Sequence, residues 1–226
     1  MNRAICITAL CVAFTLMSCH DSREDVKKTT VETEVYKTIG EEIPFETGLE
    51  WIRYHNEKNS GQGRTELLSS FNVSSDKMNQ LVASISNVVG MAFHHAYDEN
   101  GIKHILVIPV DGSMTLWSSI PGRIYVDANT GTEISQNTAS AWAANYKNAH
   151  PSNIWFHFFG INTIQEMCAL PFFNSVEIQP AISLLNLTPQ LLLVVYNEDL
   201  IPLGRTATSP GVMYDASNPC PPCAVR

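Results

Sequence analysis

No run of lysines or arginines occurs in this sequence, and that absence argues against a nucleic-acid reader. Its 14 basic residues stand against 22 acidic ones, a net charge of −8, so a phosphate backbone would be repelled. Cysteine is sparse. Of six in 226 residues, Cys6, Cys11 and Cys19 fall at the start, leaving Cys168, Cys220 and Cys223 in the body. Three cysteines cannot staple a fold of this size, so an apolar core must hold it. Also missing are a Gly-x-Ser-x-Gly elbow, His-Glu-x-x-His, a phosphate loop and a dinucleotide fingerprint, so no motif implies a cofactor. What is present is a hydrophobic fraction of 45%. That excludes wholesale disorder and leaves room for one ordinary core or two small ones.

The chain opens with Arg3 and an apolar run, Ala4 to Met17, too short to cross a bilayer as a mature helix. The run ends in Leu16-Met17-Ser18-Cys19, which resembles a bacterial lipobox. That resemblance implies removal of residues 1–18, diacylation of the Cys19 sulfur, and an address at the outer membrane, facing either the periplasm or the exterior. Several acyl chains anchor stably where one is marginal. An ordinary cleavable signal or an anchor helix is the alternative. Residues 19–42 are polar and charged and read as the acylated cysteine and its tether. Their acidic stretch, Asp21 to Asp25, resembles the surface-export signals of Bacteroidetes lipoproteins; the alternative is a solvated spacer.

Beyond the tether the sequence repeats itself. Asn87 to Asp111, moved 87 places on, meets Asn174 to Glu198, with Asn87, Val89, Leu106 and Val107 on identical residues. Earlier, an offset of 91 sets Ile43, Thr47 and Trp51 on Ile134, Thr138 and Trp142. Four extra residues in the linker around Asn59 to Gly63 reconcile the two offsets, and loops absorb such insertions cheaply. Each copy, 43–112 and 134–199, reads as helix, helix, strand, strand. The first helix spans about 45–58 and recurs after Ser135, a suitable N-cap, ending at His150-Pro151. The second starts at Ser74-Ser75-Asp76 with Met78, Leu81, Val82 and Ile85 on one face, and recurs from Thr163 with Glu166 at capping-box spacing. The strands flank Asp98-Glu99-Asn100-Gly101, a strong turn signal. His104 to Val110 and Leu191 to Tyr196 are nearly continuous apolar runs, expected of central strands covered on both faces or at an interface. Residues 200–226 lose periodicity and read as an irregular tail.

The helix Trp142 to Lys147 (WAANYK), His157 to Gly160 (HFFG), Leu191 to Val195 (LLLVV) and Asp215 to Cys223 (DASNPCPPC) together resemble a group of uncharacterised Bacteroidetes lipoproteins. The resemblance covers most of residues 43–223 and implies architecture and address. It brings no chemistry with it.

Three sets of residues are candidates for chemistry. Cys220-Pro-Pro-Cys223 has dithiol spacing, but only three residues follow it, so no helix N-terminus lowers a thiol pKa there. A structural disulfide or a pair of exposed thiols is the plainer reading. His94-His95 and His104 flank the turn. A four-residue loop would set His95 opposite His104, within reach of a shared metal with Asp98 or Glu99 as a third ligand. The plainer reading is ordinary polar residues on a strand, and the second copy has Ala181, Ile182 and Leu191 at the matching places. His157, inside Trp155 to Phe159, reads as a core histidine held by one hydrogen bond.

The expectation is therefore an α+β domain of two diverged helix–helix–strand–strand units in one antiparallel sheet, helices on one face. Burial of Trp51 and Trp142 would contribute about 2–3 kcal/mol each. The function favoured is a non-catalytic binding or interaction lipoprotein, its membrane partner reached through Cys19 and its apolar strands compatible with a homodimer. An enzyme using the C-terminal dithiol or a histidine metal site is the alternative.

Overall fold

A computed structural model describes residues 33–60, 71–204, 211–215 and 218–220. Eleven strands and four helices alternate through them. In chain order they are β1 (Glu41–Pro44), α1 (Phe45–Ser60), β2 (Phe71–Ser74), α2 (Ser75–Ala83), β3 (Val88–Tyr97) and β4 (Lys103–Asp111). Next come β5 (Tyr125–Asp127), β6 (Thr132–Ile134), α3 (Gln136–Ala149), β7 (Phe156–Gly160) and α4 (Ile161–Cys168). The chain closes with β8 (Ser175–Ile182), β9 (Pro189–Tyr196), β10 (Val212–Asp215) and β11 (Asn218–Cys220).

The strands form two antiparallel sheets, where one was expected. The first runs β1-β10-β9-β8-β2 and the second β11-β7-β3-β4-β5-β6. The reason is long-range pairing: β2 pairs with β8, and β7 pairs with β3, so each hairpin finds its neighbour in the other half of the chain. The helices are likewise not on one face. Trp51 of α1 packs on the outer side of the first sheet with Leu192, Val194 and Met213. Ala139 of α3 joins Ala92, Ala96 and Leu106 on the outer side of the second. The short helices α2 and α4 carry the chain from one sheet to the other.

Alternation explains why the central strands are apolar throughout. Leu191, Leu193 and Val195 of β9 and Ile105 and Val107 of β4 enter the core between the sheets. Their neighbours Leu192 and Val194, or Leu106 and Ile108, meet the outer helices instead. Both faces are covered, as the unbroken runs require.

Local chemistry places the helices. Ser135 Oγ accepts the Thr138 N–H at 3.1 Å, the cap expected there, and Ser74 Oγ caps α2 by accepting the Lys77 N–H at 3.3 Å. The fourth helix differs. It begins directly at Gly160, so Thr163 lies inside it, and its hydroxyl donates to the Ile39 and Gly40 carbonyls at 3.0 and 3.1 Å.

Those carbonyls belong to a segment read as tether. Residues 33–37 form a helical turn, and Tyr36 packs edge-on against Phe158 with ring centroids 6.5 Å apart. The packed domain thus begins by Thr33, ahead of the Ile43 boundary. The segment read as an irregular tail also contributes structure, β10 inside the first sheet and β11 at the edge of the second. Both segments were hard to see because they are short and owe their form to distant partners.

Glycines make the crossing of residues 36–40 over the second sheet possible. A Cβ on Gly160 would meet the Tyr36 and Lys37 carbonyls, and one on its cross-strand partner Gly90 would meet the Phe159 carbonyl and the Phe158 ring. Gly90→Ala is therefore expected to lower stability by about 3 kcal/mol, the upper end of overpacking costs. The shift of the urea midpoint at constant slope measures it, and an unchanged midpoint refutes the close approach.

Candidate functional site

The polar side chains gather where the β3–β4 hairpin leaves the second sheet. The turn is five residues long, because the Asp98 N–H donates to the Ile102 carbonyl at 3.0 Å, with Gly101 at φ 79°. Asp98 Oδ1 accepts the N–H groups of Asn100 and Ile102 at 2.9 and 2.7 Å. That extra residue moves the register. His95 pairs with Ile105, and His104 pairs with Ala96. A one-residue shift sends side chains to opposite faces, so His95 and His104 do not face each other. Among the described residues no three of His, Cys, Asp and Glu come together as a metal site.

His104 joins three parts of the fold. Its Nδ1 donates to Asp127 Oδ1 at 3.0 Å, and its Nε2 lies 3.9 Å from Asp98 Oδ2. Asp127 also accepts the Asn129 N–H at 3.0 Å and the Thr130 hydroxyl at 2.9 Å, which closes the turn between β5 and β6. The Trp142 indole covers the His104 ring at 4.5 Å between centroids, and its N–H donates to Glu99 Oε2 at 3.1 Å. An imidazole oriented by a carboxylate is the second half of a catalytic triad. Here the first half is missing: among the described residues no serine, threonine or cysteine hydrogen bonds to His104. The pair clamps α3 and two turns together.

His94, His95 and His157 are buried among other rings. His94 lies beside Phe156 at 5.5 Å and Trp117 at 5.7 Å, and its Nδ1–H donates to the His95 carbonyl at 2.6 Å. His95 stacks on Tyr146 at 5.1 Å and meets His157 edge-on at 5.9 Å. Tyr97 and His150 extend the cluster through a 3.0 Å hydrogen bond between the phenol oxygen and Nε2. Burial pushes the His94 pKa down to about 4 and that of His157 to about 3. His95 falls well below its usual value, through burial and then the nearby Lys103 charge. All three are neutral at pH 7. Among the described residues the Nδ1 atoms of His95 and His157 have no hydrogen-bond partner, so the single bond expected for His157 is not found at that nitrogen.

Cys220 ends β11, opposite Phe156 of β7, while Cys19 and Cys223 lie outside the described residues. Cys168, half-buried against the core, has its thiol pushed up to about 11 by burial and is a poor nucleophile. Sequence reasoning missed the Asp127–His104 pair. The run Asp127-Ala-Asn-Thr-Gly131 carries turn chemistry, but nothing in it names a histidine 23 residues earlier as its partner.

The fold is a mixed α/β sandwich of two antiparallel sheets, and its polar cluster is a packed one. Comparison with family models, curated proteins and solved structures finds no match. No helix among the described residues is long and apolar enough to cross a membrane.

Proposed function

We propose that the chain is an envelope lipoprotein, held to the outer membrane through Cys19, that works as a non-catalytic binding or interaction module. The observation that carries this is the sequence Leu16-Met17-Ser18-Cys19 at the end of the apolar run, with charge starting at Asp21. The likeness to Bacteroidetes lipoproteins agrees with that address. The buried imidazoles support an absence of catalysis: His94, His95 and His157 are neutral at pH 7, and His104 is engaged by Asp127 with no serine, threonine or cysteine bonded to it among the described residues.

The module is built from two diverged copies of one unit. In support, β1 and β6 start 91 residues apart, at 41 and 132, and so do α1 and α3, at 45 and 136. The strands β3 and β8 start 87 apart, at 88 and 175. Taken in chain order, β1 to β5 correspond to β6 to β10, and exchanging each strand of the first sheet for its counterpart turns β1-β10-β9-β8-β2 into β6-β5-β4-β3-β7, the order of the second sheet without β11. Trp51 and Trp142 fall at matching places on α1 and α3.

A broad panel of hydrolase and oxidoreductase substrates, run on the purified chain with His104→Gln and Cys220→Ser in parallel, tests the reading. No turnover dependent on either residue is expected. Turnover that one substitution abolishes makes the protein an enzyme.

A further inference from the structure

The β8–β9 hairpin ends in an uncharged leucine tip. From Ile178 to Tyr196 the chain carries no charged residue, and Leu184, Leu185 and Leu187 are 43%, 87% and 63% exposed. The turn is built to hold them outward. Ser183 and Leu187 N–H groups donate to the Thr188 and Ser183 carbonyls at 2.9 and 2.8 Å, and Asn186 Oδ1 accepts the Thr188 hydroxyl at 2.6 Å. Leu187 sits at φ 58°, a left-handed conformation that strains a leucine and not a glycine. Apolar surface held out at such a place marks a contact with lipid or protein.

The path of the N-terminal segment selects between those occupants. Thr33 lies beside Gly112, just past the end of β4. From there the chain crosses the end of β7, where the Gly160 N–H donates to the Ile39 carbonyl at 2.8 Å, and enters β1 at Glu41. Glu41 is level with Asp215, Asp215 with Leu192, and Leu192 with Gln179. Three residues further on, Ile182 and Pro189 close the strand pair below the leucines. Thus the chain from Cys19 reaches the sandwich at the end that bears the tip. Thr33 is only fourteen positions beyond Cys19, a reach of at most about 50 Å. A second apolar group, Phe172, Leu200 and Ile201, lies at the other end of the first sheet, where Ser175 pairs with Tyr196. That end faces away.

We propose that Leu184, Leu185 and Leu187 insert into the bilayer that holds the acyl groups of Cys19, so that the sandwich stands on the membrane with its leucine end down. The proposal rests on the lipid-anchor reading. An uncharged tip on a chain of net charge −8 enters a headgroup layer without the repulsion its acidic surface would meet.

The test uses the full-length processed protein in vesicles of phosphatidylethanolamine and phosphatidylglycerol, with some lipids spin-labelled near the top of the acyl chain. A dansyl amino acid replaces Leu185 or, at the opposite hairpin, Asn100. Several-fold stronger quenching at position 185 than at position 100 is expected, with blue-shifted emission. Equal quenching overturns the proposal, and so does a blue shift without lipid quenching, which means that a protein or a second copy covers the tip. The mass of the N-terminal peptide from the same preparation separates the two readings. An acylated Cys19 with equal quenching removes the tip proposal alone, and an unmodified N-terminus removes the anchor and the proposal with it.

Discussion

Residues 43–112 and 134–199, expressed separately, are each expected to be unfolded, and the whole chain to unfold in a single transition. The strand pairing requires it. Within the first segment β2 has no sheet partner, because its partner is β8, and β3 and β4 lose β7 and β5. Within the second, β7 is left without β3, and the β8–β9 hairpin loses β2 and β10. An isolated hairpin is marginal in water, and the core between the sheets draws on both segments, as with Phe93 and Leu193. Circular dichroism of each segment, alone and mixed, decides the matter. A segment that alone shows native strand signal and a cooperative melt contradicts the interlocked account; recovery of structure on mixing supports it.

Acid should unfold this protein well above the range set by its carboxylates. His94, His95 and His157 titrate near 6.5 in the unfolded chain, whereas in the fold burial holds His94 at about 4, His157 at about 3 and His95 well below its usual value. A histidine whose folded pKa is depressed contributes stability that is present above 6.5 and lost as pH falls toward the folded value. Near pH 5 the unfolded state binds about three more protons, a slope of about 4 kcal/mol per pH unit. Asp215 acts in the opposite sense. Burial, and then the Glu41 charge across the strand pair, raise it to about 6, so between pH 6 and 4 the folded state holds one proton more. The net slope is then about 3 kcal/mol per pH unit, against a usual total of about 5–15. Urea midpoints at pH 7, 6 and 5 measure it, with loss of structure expected between about pH 5 and 4. Midpoints that stay level from pH 7 to 5 mean that the histidines are protonated in the fold.

Much of this architecture was legible where it is local. Helices α1 and α3 fall within about two residues of the spans read from Trp51, Trp142 and the Ser135 cap. The hairpins stand where the repeated apolar runs put them. What failed was the joining of the two hairpins into one sheet. The apolar runs are equally compatible with one sheet or two, and the pairing of β2 with β8 leaves no mark near either strand. The histidine site failed on a single residue. Asp98 to Gly101 looks like a complete turn, yet Ile102 belongs to the loop, and that residue exchanges the faces of His95 and His104. The contact that does engage His104 comes from Asp127, in another strand, and no periodicity reports it.

Anchoring of the protein to the membrane stands or falls on Cys19. Mass spectrometry of the N-terminal peptide of the mature protein, with palmitate labelling of the wild type and Cys19→Ala, tests it most directly. An anchored protein begins at Cys19, carries acyl groups and takes up palmitate, and its Cys19→Ala variant keeps residues 1–18 and takes up none. A mature chain that begins at another residue, or an unmodified Cys19, would contradict it.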